Sequence, residues 1–291
     1  MINKNLILPV AKKSIKKVRR SIKRAISLYK LELEYLEFNL TDHCNLNCKG
    51  CSHFSPIANK NYASVNQHER DLRKLGQLFR NIQTIRLLGG EPLLHPDVAS
   101  FMVKTREAFP RSTIRLVTNG LLLPRASQEF YKTCKETKTI IDLIVYPPLR
   151  NRLTNNLYLL KTKGVDFKII EVENFSAFLN LKGNSSKKKA LDSCRSKFGY
   201  CPFLHNGHIY HCAVSALVEN FNKRFNYNIS LDKGINIHST KLSGHSIIKK
   251  LNVPIETCRW CSEENILFPW EISNRTIDDW DAQIQNKTQN D

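Results

Sequence analysis

Between residues 35 and 172 the chain switches repeatedly between two hydrophobic periods. Short runs rich in β-branched, aromatic and aliphatic residues (35–40, 84–88, 113–118, 140–146 and 166–172) read as strands. Between them lie stretches whose apolar positions recur every three or four residues (68–79, 97–109, 124–135 and 153–163), as on a helix with one buried face. Strand and helix in alternation predict parallel strands joined by right-handed crossovers, either as an open sheet or as a barrel. The alternation stops at Gly183-Asn-Ser-Ser-Lys-Lys-Lys189, a polar, turn-forming stretch that sets an expected domain boundary. Beyond it, Pro202 to Cys212 reads as a β-hairpin, with Asn206-Gly207 as the pair that tolerates a turn at positive φ. Ahead of the strands, Ile15, Val18, Ile22, Ile26 and Tyr29 form an apolar stripe among Lys and Arg, which predicts a basic amphipathic helix over 9–29. The expected organisation is a helical segment in 1–32, an α/β unit in 33–182 and a smaller unit in 183–291, ending in a polar stretch expected to fray.

Composition narrows the class without naming a function. At 41% hydrophobic and 24% charged residues, 291 residues suffice to bury a core, and no apolar run approaches the roughly 20 residues of a membrane span. The basic start lacks the apolar run and small-residue cleavage site of a secretory signal, so a cytoplasmic location is expected. The formal charge of +19 is uneven: ten Lys and Arg precede the first acidic residue, Glu32, and the remaining 35 exceed the 26 acidic residues by only 9. That segment suits an anionic membrane surface, which would place the protein peripherally at the inner membrane face. It also suits nucleic acid, but its basic residues carry no interleaved base-stacking aromatics, which makes nucleic acid the weaker reading.

Nine cysteines in a reducing compartment point to metal or redox chemistry before disulfides. Cys134 stands alone in a helical stretch and reads as a small buried hydrophobe. Directly after the first strand, Cys44, Cys48 and Cys51 form a Cys-x3-Cys-x2-Cys triplet. Three thiolates on one loop can hold three irons of a [4Fe–4S] cube and leave the fourth open, while zinc with His43 or His53 as fourth ligand is the alternative the spacing also allows. At the end of the second strand stand Gly89, Gly90, Glu91 and Pro92. Glycines there let backbone carbonyls approach a ligand, and a carboxylate complements an ammonium group.

The triplet together with Gly89-Gly90-Glu91-Pro92 resembles the radical S-adenosylmethionine (SAM) superfamily, over about residues 33–172. The resemblance implies a partial (β/α)6-type barrel, a cluster on Cys44, Cys48 and Cys51, and SAM chelating the open iron. It also implies that Gly89, Gly90 and Glu91 bind the SAM amino group, with Pro92, Thr118 and Asn119 alongside. One-electron cleavage of SAM would yield methionine and a 5′-deoxyadenosyl radical, with a flavodoxin- or ferredoxin-type electron donor. Many members have an aromatic residue before the third cysteine where this chain has Gly50, and Phe54 is the expected substitute.

A second group, Cys194, Cys212, Cys258 and Cys261, resembles the auxiliary-cluster arrangement called twitch, related to the longer SPASM domain. With no cysteine after Cys261, the resemblance implies one auxiliary [4Fe–4S] cluster, for a total of two, with zinc as the alternative. Cys201 is left as a possible ligand in place of Cys194, a buried thiol, or a hydrogen donor to a substrate radical. The arrangement resembles that of a dehydrogenase acting on an amino-cyclitol and of peptide-maturing enzymes. The expected reaction is thus oxidation of an alcohol on a sugar or cyclitol, with epimerisation and peptide modification as alternatives. The base is open among His53, His205, His208 and His211.

Overall fold

The computed structural model describes residues 31–287, so the helix expected over 9–29 lies outside the described residues. The first half alternates as the hydrophobic periods predict. Strands β1 (Glu32–Thr41), β2 (Asn81–Gly89), β3 (Thr113–Thr118), β4 (Ile140–Val145) and β5 (Phe167–Glu171) are separated by helices α1 (Val65–Leu78), α2 (Val98–Ala108), α3 (Gln128–Glu136) and α4 (Leu153–Thr162). Helices α1 and α3 start at serines, Ser64 and Ser127, whose hydroxyls accept from Gln67 N–H and Phe130 N–H. All neighbouring pairs from β1 to β5 are parallel, which gives the mostly parallel α/β sheet of a partial barrel.

The alternation along β1 sets the two faces of that sheet. Leu36, Phe38 and Leu40 join the core that Leu72, Leu75, Phe101, Met102, Phe130 and Leu160 of the covering helices complete. Tyr35, Glu37, Asn39 and Thr41 take the opposite face, because side chains alternate along a strand. That face is polar on the neighbouring strands too: Glu37 of β1 is in register with Arg86 of β2, and Arg86 with Arg115 of β3.

The boundary expected at Gly183 does not end the sheet. The hairpin β7 (Phe203–His205) and β8 (His208–Tyr210) forms as the Asn206-Gly207 pair predicts, with φ of 47° and 73° at those two residues. Strand β7, however, pairs in parallel with β1, so the hairpin extends the main sheet, whose order is β5-β4-β3-β2-β1-β7-β8-β9, with β9 at Ile235–Asn236. Strand β6 (Asn174–Leu179) leaves that sheet and pairs antiparallel with β10 (Cys261–Pro269). The polar run at 183–189 ends in a helix start: Ser186 caps α5 (Lys187–Phe198), and the lysines are its first turn. Helices α6 (Ala213–Phe225), α7 (Gly244–Leu251) and the short α8 (Ala282–Lys287) follow in the C-terminal half. Among the described residues no helix is long and apolar enough to cross a membrane.

Candidate active site: two cysteine groups on one cavity

The loop after β1 carries Cys44, Cys48 and Cys51, and the fold brings it against the end of β2. The two glycines there are required by close approach. A Cβ on Gly89 would lie 2.3 Å from the Thr41 carbonyl oxygen, and one on Gly90 would lie 2.1 Å from that of His43. Instead, Gly90 N–H donates to the Thr41 carbonyl at 2.8 Å and Glu91 N–H to that of His43 at 3.1 Å. The strand end is therefore laced to the cysteine loop through main chain.

Glu91 is buried, at 1% exposure. Its carboxylate accepts from Thr118 Oγ1 at 2.7 Å, Asn119 N–H at 2.9 Å and Leu93 N–H at 3.0 Å, and so ties the ends of β2 and β3 together. Burial outweighs these donors and raises its pKa to about 7. Asn119 in turn donates to Asn45 Oδ1 at 2.7 Å. Cys44, Cys48, Cys51, Gly89, Gly90, Glu91, Thr118 and Asn119 all line one cavity of about 120 Å³, so the residues singled out around the first cluster converge. Pro92 is the exception, since it is buried as the first residue of a 3₁₀ turn and does not line that cavity.

The three thiols line one space. Thiolate donors around a cavity fit an iron–sulfur cube, one iron to each cysteine. Burial raises all three thiol pKa values, that of Cys48 to about 12, so metal binding must displace protons. Backbone donors already meet the sulfurs: Leu46 N–H lies 3.3 Å from Cys44 Sγ, and the amides of residues 53–55 face Cys51.

The C-terminal half closes this loop in a way the sequence did not suggest. Residues 270–280 run across it as a strap. Lys49 N–H donates to the Glu271 carbonyl at 2.9 Å, Ser273 N–H to the Asn47 carbonyl at 2.8 Å, and Asn47 Nδ2 to the Ser273 carbonyl at 2.8 Å. Trp280 Nε1 donates to the Cys51 carbonyl at 2.9 Å, and Trp270 Nε1 to Cys48 Sγ at 3.2 Å. Gly50 is explained by the same strap. Its φ is +64°, and a Cβ there would lie 2.7 Å from Phe268 Cζ. The expected role of Phe54 as a substitute aromatic is not met, because Phe54 is fully buried beside Phe178, Phe221 and Trp280, away from the cavity.

The second cysteine group is assembled from four elements. Cys194 lies on α5, Cys212 precedes α6, Cys258 sits in the 3₁₀ turn Glu256–Trp260, and Cys261 opens β10. All four line one small cavity of about 40 Å³, together with Cys201. Burial raises each titrating thiol's pKa where a shift is resolved, and the charges of Cys212, Cys258 and Cys194 all bear on Cys261. Cys201 also feels the charges of Cys212, Glu37 and Cys194. None of the nine cysteines is in a disulfide, and Cys134 is buried 3.8 Å from Met102 Sδ.

A larger cavity of about 570 Å³ lies between the first cysteine loop and the second group, without reaching Cys44, Cys48 or Cys51 themselves. Gly50, Ser52 and His53 of the first cysteine loop line it, as do Cys194, Cys201, Cys212 and Cys261. His53 and Tyr146 also line the 120 Å³ cavity, so the two spaces adjoin. Tyr35, Glu37 and Arg86 line the larger cavity from the sheet, and the sequence reading missed all three. Tyr35 donates to Glu37 at 2.5 Å, and Arg86 lies 3.7 Å from Glu37 and 3.3 Å from Asp142, which Arg115 also engages. Burial pushes the Glu37 pKa up despite these partners. The signal for these residues was present as polar positions at period two within apolar strands. Of the histidines considered as bases, His53 lines the cavities, while His205, His208 and His211 line neither.

Residues 38–145 match the family model described as the radical SAM superfamily. Over 103 residues the chain is 32% identical to a GTP 3′,8-cyclase of Alkaliphilus oremlandii, a match covering 35% of this chain and 32% of that protein. It is 34% identical over 100 residues to the molybdenum cofactor biosynthesis protein 1 of Bos taurus, covering 34% and 16%. The chain thus spans about a third or less of these relatives. Among solved structures, BtrN in complex with AdoMet and 2-DOIA aligns with a TM-score of 0.48 at 18% identity, over 80% of this chain and 96% of that one. The anSMEcpe structure with bound AdoMet aligns at 0.41 and 17% identity, over 60% and 51%. The segment from Phe38 to Val145 is thus similar to the radical SAM superfamily, a family whose cofactors are a [4Fe–4S] cluster and SAM.

Proposed function

We propose that the protein is a radical SAM enzyme that oxidises an alcohol of a neutral, hydroxyl-rich substrate such as a sugar or cyclitol. The observation that carries this reading is the 570 Å³ cavity with the SAM-cluster loop on one wall and the second cysteine group on another. A cluster on Cys44, Cys48 and Cys51 with bound SAM would supply a 5′-deoxyadenosyl radical at the first wall, and a second cluster on Cys194, Cys212, Cys258 and Cys261 would supply an electron sink at the other.

The chain's own residues supply orientation and exclusion of water. Phe175, Ala177, Phe178 and Val214 give the cavity an apolar surface, and Tyr35, Glu37, Asn174 and Ser176 offer hydroxyl-binding groups. A triphosphate, which the relatives' name implies for them, needs several cations. Among the described residues lining this cavity Arg86 is the cation, and it already serves Glu37 and Asp142. That argues for an uncharged substrate in this chain.

Anaerobic reconstitution tests the reading. The protein should bind about eight irons and, with reductant and SAM, release 5′-deoxyadenosine. Replacing Cys44, Cys48 and Cys51 together with Ala should leave about four irons and abolish that release. Zinc in place of iron, or full iron in the triple variant, would sink the two-cluster reading.

Epimerisation is the second reading, favoured by the thiol of Cys201, which lines the cavity as Glu37 does. An epimerase would incorporate solvent deuterium into product and lose product with Cys201→Ala.

A further inference from the structure

The three thiols of the SAM-cluster loop differ in what donates to them. Cys44 receives the Leu46 amide at 3.3 Å and Asn119 Nδ2 at 3.8 Å, and Cys51 receives the amides of residues 53–55 and the Ser55 side chain, all from the cysteine loop or the end of β3 beside it. Cys48 receives the indole N–H of Trp270, 222 residues further along, at 3.2 Å. The main chain is held on both sides of that residue. Trp270 N–H donates to the Glu173 carbonyl at 2.9 Å, and the next residues bind the loop through Lys49 to Glu271 at 2.7 Å and the bridge between Cys48 and Ile272. The strap thus brings the indole N–H to one of the three thiols.

A hydrogen bond to a cysteine sulfur stabilises the state with more negative charge on the cluster, which is the reduced state. We propose that Trp270 is a positioning residue for the SAM cluster that raises its reduction potential through the N–H to Cys48. It thereby makes the cluster easier to reduce by a weak physiological donor. This rests on the assignment of a [4Fe–4S] cluster to Cys44, Cys48 and Cys51. The strap follows directly on β10, whose first residue is Cys261, so one continuous stretch of chain runs from the second cysteine group to the first.

The test is a redox titration of the full chain followed by electron paramagnetic resonance, reading the signal that changes on addition of SAM. Two changes remove the donor: Trp270→Phe, and incorporation at Trp270 of 3-benzothienylalanine, which keeps the bicyclic shape and exchanges N–H for sulfur. Both should keep the wild-type iron content and move the midpoint of the SAM-responsive signal to lower potential, with the other cluster's midpoint unmoved. An unchanged midpoint in the isosteric variant overturns the proposal, and so does loss of half the iron from both variants, which would make the indole a scaffold for the loop. If the wild type itself gives no SAM-responsive signal, the cluster assignment has failed instead.

Discussion

At the scale of single residues, two buried carboxyls were treated very differently by sequence reasoning. Glu91 was found because it stands beside two glycines at a strand end, and it does join the cysteine cavity. Glu37 carries no motif around it, and its meaning needs the register that sets Arg86 opposite it. Glu91 gives a pH prediction. Its folded-state pKa is raised from 4.5 to about 7, so the native state holds a proton the unfolded chain has released across that interval. Stability of the metal-free protein should therefore fall as pH rises from about 4.5 to about 7, by up to about 3 kcal/mol from this group. Denaturant titrations across that range should show a flatter profile in Glu91→Gln than in the wild type. A second prediction concerns the ligand set. Cys194→Ala should cost about four irons and Cys201→Ala none, because the ligand set proposed above is Cys194, Cys212, Cys258 and Cys261.

At the scale of elements, local patterns were legible and long-range pairings were not. The five strands and four helices from Glu32 to Thr162 and on to Glu171 follow hydrophobic period, since each buries one predictable face. Nothing local tells β6 to leave the main sheet for β10, or β7 to add to β1, because partner choice depends on which edges remain open once five strands have paired. The strap was invisible for the same reason: residues 270–280 look like a polar turn until Asn47, Lys49 and Cys51 supply their partners. The glycines at the end of β2 offer a sharp check on how tightly the elements meet. Gly90→Ala puts a Cβ 2.1 Å from a main-chain oxygen that cannot swing away, so it should destabilise the protein by about 2–4 kcal/mol in urea unfolding. Gly76→Ala, on an open face of α1 with nothing within 4 Å, should instead be neutral or slightly stabilising.

At the scale of the whole molecule, β7, β8 and β9 from the C-terminal half join the main sheet, and residues of both halves line the larger cavity. The candidate site divides accordingly: the cysteines and the Gly-Gly-Glu turn were legible from spacing, while the cavity between them exists only after the hairpin docks on β1. The strap also has a consequence in time. Asn47 and Ser273 are 226 residues apart in sequence. At about 5–20 residues per second of synthesis, the cysteine loop leaves the ribosome roughly 10–45 s before its cover exists. During that interval three thiols stand open to every thiol-seeking ion, among which copper and zinc bind more tightly than iron. Correct metallation therefore becomes a race between delivery of iron and sulfide and the arrival of the strap, and slowing translation near the C-terminus would lengthen the window in which the wrong metal can win.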